Sequence, residues 1–155
     1  MFRSVNELNN FSFEDCVLAK TEYAKDGIVF ELEALIVKAN NSQNANFTDS
    51  YAGTAFLKFQ NASIKKIVKA GYRYYDADGK LIKSVPDEPV PASEHKALIP
   101  LFAGSYLCAC DREQDGYTLE VEMCEEDGVG DTYLLDISCG DAIVSWDKYM
   151  NRVQR

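Results

Sequence analysis

From Ile28 to Val37 the chain alternates: Ile28, Phe30, Leu32, Ala34 and Ile36 are apolar, while Glu31 and Glu33 hold the other parity. A period of two marks a β-strand with one buried face, because successive side chains on a strand point to opposite sides. Phe13 to Tyr23 reads as a second strand, joined to the first through Lys25-Asp26-Gly27. Asp-Gly between two such runs is a strong short-range hairpin signal, since glycine accepts the backbone a tight turn needs. Antiparallel pairing of neighbours is therefore the first constraint on the fold.

The rest of the chain continues this grammar. Ala55, Leu57 and Phe59 alternate with Phe56, Lys58 and Gln60, giving another strand. Between Ser63 and Ala70 the residues Ile64, Ile67 and Val68 fit one helical turn capped by Ser63 and ended by Gly71, and they equally fit a continued strand. Tyr72 to Ile82 forms a second hairpin around Gly79, with Tyr72 and Tyr74 on one face, Tyr75 on the other, and core packing as the expected use of all three. Pro86, Pro89 and Pro91 impose an extended connection, and Ser93 to Ile99 suits a short helix that Pro100 ends, with His95 on its surface. The last third is a meander of strands at Tyr106 to Cys110, Tyr117 to Cys124, Tyr133 to Ser138 and Ala142 to Tyr149, where Trp146 shares a core face with Ala142 and Val144. The Asn-rich run Asn40 to Ser50 fits neither strand nor helix and is expected to be a mobile loop. At 155 residues and 46% hydrophobic content the chain matches one globular domain, residues 1–155. The expected fold is mainly β: an antiparallel β-sandwich or roll of about eight strands built from hairpins and a C-terminal meander. One or two short helices are expected near 63–70 and 93–99.

Catalytic and metal-binding motifs are absent from this sequence. His95 is the sole histidine, so any Ser-His-Asp or Cys-His mechanism must use it, and no nucleophile motif accompanies it. There is no phosphate-cradling glycine loop and no Cys/His set with zinc spacing, so no catalytic residue, metal or cofactor is expected. Asp111 to Glu122 matches part of a calcium-loop template, but strands rather than helices flank it, and a hairpin loop with solvated acids is the expectation. Cys108 and Cys110 should share one face of a strand as buried, inert thiols. Five cysteines without framework spacing, no secretory signal and no long apolar run point to free thiols in a soluble, cytoplasmic protein. The three Asn-x-Ser/Thr sequons, at Asn40, Asn46 and Asn61, carry no weight in that compartment.

Charge is where the sequence departs from the ordinary. The net charge is −9, which disfavours nucleic acid and anionic membrane as simple electrostatic partners. From Asp111 to Asp147 twelve acids face Arg112 alone, a local −11, leaving +2 for all other residues. Between Lys58 and Lys83 seven bases outnumber Asp76 and Asp78, a local +5. Strand parity turns Glu120 and Glu122 outward on one strand and Asp136 outward on the next, and a short Gly128 to Gly130 loop then sets Asp136 opposite Glu120 or Glu122. Like charges facing across a sheet are unfavourable, so compensation must come from solvent, from the chain's own lysines or from a basic partner. The leading functional expectation is a non-enzymatic binding module that engages a basic protein partner through Glu120, Glu122 and Asp136, as an inhibitor or immunity-type protein does. Two alternatives stand beside it: a small-molecule binding protein or enzyme with paired carboxylates in a β-lined cavity, and a structural subunit whose charged halves meet in a homo-oligomer.

Overall fold

The computed structural model describes residues 1–125 and 128–154, so Glu126 and Asp127 of the acidic run, and Arg155, lie outside the described residues. The strands in chain order are β1 (Phe2–Val5), β2 (Phe11–Ser12), β3 (Val17–Ala24), β4 (Gly27–Glu33), β5 (Ile36–Val37), β6 (Ser50–Ala52), β7 (Ala55–Gln60) and β8 (Ser63–Lys69). They continue with β9 (Tyr72–Tyr75), β10 (Leu81–Val85), β11 (Glu88–Pro89), β12 (Tyr106–Arg112), β13 (Gly116–Glu125), β14 (Gly128–Ser138), β15 (Ala142–Trp146) and β16 (Tyr149–Arg152). One short helix, α1 (His95–Leu98), sits between the 3-10 turns Ala92–Glu94 and Ile99–Phe102. The fold is antiparallel and mainly β, as the alternation requires, and the strand segments described number sixteen rather than eight because several are only two to four residues long.

Ten strands form one sheet in the order β1-β15-β7-β4-β3-β12-β13-β14-β8-β11. Its two halves join at one bridged pair, Val17 with Tyr106. Beyond that joint they face each other: Phe59 of β7 meets Tyr117 of β13 with ring centroids 5.5 Å apart, and the Gly140 N–H donates to Gln60 O at 2.8 Å. The core lies between them, with Leu18, Phe30, Leu57 and Phe59 from one half and Ile67, Leu119, Val121 and Leu135 from the other. A second sheet, β16-β6-β5-β2, is tied on by Trp146, which touches Phe2, Phe11 and Tyr149. No helix among the described residues is long and apolar enough to cross a membrane.

Three local expectations are corrected and one open alternative, helical turn or strand over 63–70, is resolved. The strand expected over 28–37 breaks after Glu33, where Ala34 takes φ 59°, and Leu35, Ile36 and Val37 are then all buried as the chain passes into the second sheet. Residues 63–69 are strand: Ile64 and Ile67 face the core three residues apart because the register slips between Asp136 and Ile137, an irregularity that mimics helical spacing. The Asn-rich run is docked through its own amides, with Asn44 Nδ2 donating to Val37 O, Lys38 O and Thr48 O at 3.0 to 3.1 Å and Asn41 buried against Ser4 and Asn10. His95 is not on the surface: it is 8% exposed and its ring Nε2–H donates to Val90 O at 2.9 Å, so it holds the proline segment to α1.

Candidate functional site

The acidic strip is built on β13. Its inward residues Tyr117, Leu119 and Val121 pair with Ile137, Leu135 and Tyr133 of β14, which confirms the expected parity. The register is tighter than expected. Pairing runs on to Glu125 with Gly128, and a slip between Glu122 and Cys124 absorbs one residue, so Glu120 faces Leu134, Glu122 faces Thr132 and Asp136 faces Thr118. Asp136 is therefore not opposite Glu120 or Glu122. Thr118 Oγ1 donates to Asp136 Oδ1 at 2.7 Å, and on its other side Asp136 neighbours Lys66 of β8.

The basic segment and the acidic segment are adjacent strands. Lys65 pairs with Asp115, and Lys69 Nζ lies 3.5 Å from Asp131. The chain's own lysines thus supply the compensation along one side of β14. Glu113 Oε1 lies 3.2 Å from Thr118 Oγ1, whose one hydroxyl hydrogen serves Asp136, and the calcium-like loop is a β12–β13 hairpin closed by the Glu113 N–H on Gly116 O. Glu120 and Glu122 take part in none of the ion pairs among the described residues.

The two thiols of β12 also part company. A register slip between Leu107 and Ala109 leaves Cys108 as the extra residue, so Leu107 and Cys110 both lie against the core while Cys108 Sγ comes to 3.9 Å from Glu122 Oε2. The bulge overturns the expectation of a shared face. Burial, then the charges of Glu120 and Glu122, push the Cys108 thiol up. Burial, then the charge of Cys108, pushes the Cys16 thiol up to about 12. No cluster of three or more metal-ligating side chains occurs among the described residues.

The feature that sequence reasoning missed is the exposure of the β9–β10 ribbon, a hairpin that it did expect. β8 and β11 pair within the sheet, and the hairpin then continues past it as a two-stranded arm. Gly71 sets the base of the arm: its N–H donates to Asp87 Oδ1 at 2.7 Å, and a Cβ there would stand 2.0 Å from Val85 O. Gly79, at φ 81°, closes the tip as expected. Core packing was the expectation for the tyrosines, yet Tyr72 is 45% exposed, Tyr74 56%, Tyr75 55%, Leu81 49% and Ile82 68%. Tyr72 and Tyr74 rest edge to face with centroids 5.0 Å apart, and Lys83 Nζ sits 5.9 Å above the Tyr72 ring. The sequence signal available was the pair of breaks at Gly71 and Pro86, which ends the sheet pairing on both strands. Trp146, by contrast, is a core residue as expected, 1% exposed.

Between the arm and the β13–β14 hairpin lies an open notch of about 560 Å³ bounded by Gly71, Tyr72, Tyr74, Glu120, Asp131 and Thr132. It combines aromatic faces with carboxylates, the pairing that receives a cationic side chain. No family model, curated protein or solved structure matches the chain.

Proposed function

We propose that this chain is a non-catalytic binding module that engages a basic protein partner through the aromatic arm and the acidic strip. The observation that carries the reading is the exposure of Tyr72 and Tyr74 beside Glu120, on an arm that also exposes Tyr75, Leu81 and Ile82, in a chain that buries most of its other large apolar side chains. Tyrosine-rich, half-exposed patches next to charge are typical of protein interfaces, where rings anchor and charges orient. Glu120 and Glu122 serve as the orienting carboxylates. Asp136, held by Thr118 and beside Lys66, is a marginal contributor. Asp136 pairs with Thr118 rather than with either glutamate, which favours this reading over paired carboxylates in a cavity.

Capture from native lysate tests the proposal, using wild type, Tyr72→Ser/Tyr74→Ser and Glu120→Gln/Glu122→Gln as baits at low and high salt. The expected result is a basic protein retained by wild type at low salt, lost from both variants and lost at high salt, where screening shortens the reach of charge to below about 10 Å. A set of captured proteins indifferent to both variants would overturn it.

A further inference from the structure

We infer that the notch between the arm and the β13–β14 hairpin is a slot in the sheet that takes an extended segment of a basic protein as an inserted strand. This rests on the proposed reading of the surface as a protein interface and names how its partner is held. β8 and β14 pair as far as Lys69 with Tyr133, and the Ala70 N–H then donates to Thr132 O at 2.8 Å. Beyond that bond the two sides part. The chain of β8 continues as β9, which pairs only with β10 among the described strands, while Gly128 to Thr132 of β14 pair only with β13. Two strand edges thus face each other across the notch.

Backbone alternation gives what those edges offer. The Ala70 N–H points to β14 and the Gly71 N–H to Asp87 on the other side, so the backbone groups of Tyr72 and Tyr74 turn back toward β14. Thr132 presents its carbonyl on the same edge, and Gly130, two residues earlier, shares that direction. Gly130, Asp131 and Thr132 all border the notch. Successive side chains of a strand point to opposite faces, so an opening bordered by all three lies at the edge of β14 rather than on one of its faces. Open strand edges are templates for a further strand, and an extended peptide bonds to them through its own backbone. β9 runs opposite to β14, as β8 does, so the inserted strand is antiparallel to one neighbour and parallel to the other. The carboxylates divide the remaining work. Asp131 already has Lys69 at 3.5 Å, whereas Glu120 takes part in none of the ion pairs among the described residues. Glu120 therefore selects a cationic side chain in the inserted segment, with the rings of Tyr72 and Tyr74 bordering the same space.

An acetylated and amidated hexapeptide of alternating arginine and valine, read by fluorescence anisotropy, tests the inference. Two further peptides carry backbone N-methyl groups, one at every arginine and the other at every valine. Each loses the N–H donors of a single strand edge and keeps every side chain. The plain peptide should bind, and both methylated peptides should bind more weakly by about tenfold or more, because insertion needs both edges. Glu120→Gln should weaken the plain peptide, and amide exchange at Tyr72, Tyr74 and Gly130 should slow when that peptide is added to wild type. Loss from one methylated peptide alone would mean addition at a single edge and would overturn insertion. Equal binding of all three peptides, abolished in Tyr72→Ser/Tyr74→Ser, would overturn it too and leave the interface reading standing. A plain peptide that does not bind, with lysate capture still dependent on Tyr72 and Glu120, would do the same, since backbone pairing tolerates varied sequence. Failure of both peptide and capture would remove both readings.

Discussion

Thr118 and Asp136 face each other across β13 and β14, joined by a 2.7 Å hydrogen bond, with Lys66 on the far side of Asp136. The hydroxyl donor holds the carboxylate on one strand, and Lys66 is its register neighbour on the other without forming an ion pair among the described residues. Asp136→Asn should therefore destabilise the fold, by about 0.2–1 kcal/mol at low salt, with a smaller effect at high salt. Denaturant melts at two salt concentrations give the sign. A stabilised variant would mean that repulsion from Glu120 outweighs both partners.

Glu7 joins the amino-terminal turn to the docked Asn-rich run. Burial pushes its carboxyl up, but the hydroxyls of Ser4 and Ser42, the Ser42 N–H and Asn10 together outweigh that and hold it below the ordinary glutamate range. A carboxyl more acidic in the folded state adds stability above the unfolded-state range, and that stability is lost as pH falls through the folded-state value. Glu7→Gln should therefore be less stable than wild type at neutral pH, and the gap should narrow on acidification. Parallel thermal melts across the acid range check this.

The Asn40 to Ser50 run should resist exchange at Asn44, whose backbone N–H donates to Asn41 O at 3.0 Å. Asn44→Ala removes the amide that satisfies Val37 O, Lys38 O and Thr48 O, and should cost about 1–3 kcal/mol. Hydrogen exchange and a denaturant melt of the variant measure both. Fast exchange at Asn44 in wild type would show that the run is not held.

How much of this was legible follows from what alternation encodes. Parity survived wherever strands are regular, so the partners of Leu119 and Val121 fell on the correct face. It failed at bulges: the extra residue at Cys108 brings Leu107 and Cys110 to one side, and the slip beside Lys65 gives Ile64 and Ile67 a helix-like interval. A bulge depends on the partner strand, which local sequence does not contain. The same holds for the arm. Tyr72-Arg73-Tyr74 has the pattern of a half-buried strand, and only the position where the sheet ends leaves it in solvent. Of the site, Glu120 and Glu122 were legible from parity, whereas Tyr72 and Tyr74 were not.

The thiols should separate into reactive and silent groups. Cys124 is exposed, whereas Cys16 is fully buried and Cys110 packs against the core with burial raising its thiol far above the usual range. A neutral alkylating reagent should modify Cys124 first in the native protein and reach Cys16 and Cys110 only on unfolding, since the thiolate is the nucleophile. Because Cys16 and Cys110 hold their protons more tightly when folded, stability should fall as pH rises above the ordinary thiol range toward about 12. Mass spectrometry of timed alkylation, with alkaline melts, tests both statements.

Gly71 and the arm should respond in opposite ways to substitution. Tyr74→Ser and Ile82→Ser remove exposed groups that contribute little to the core, so each should shift stability by no more than about 0.5 kcal/mol. Gly71→Ala instead drives a Cβ into Val85 O, Pro86 C and Asp87 N, with built distances of 2.0, 2.5 and 2.8 Å. All three are backbone atoms of β10 and the connection that follows it, so no rotamer change relieves the clash, and the two sides of the hairpin must separate at the base of the arm. The cost should be at least 1 kcal/mol, at the level of other incompatible glycine substitutions. Separation would also break the Gly71 N–H bond to Asp87 and release the orientation of Tyr72 and Tyr74 over Glu120. Any partner held by that surface should therefore be lost from Gly71→Ala even though no contact side chain has changed. A Gly71→Ala variant with wild-type stability and wild-type association would show that the arm is not positioned from this point.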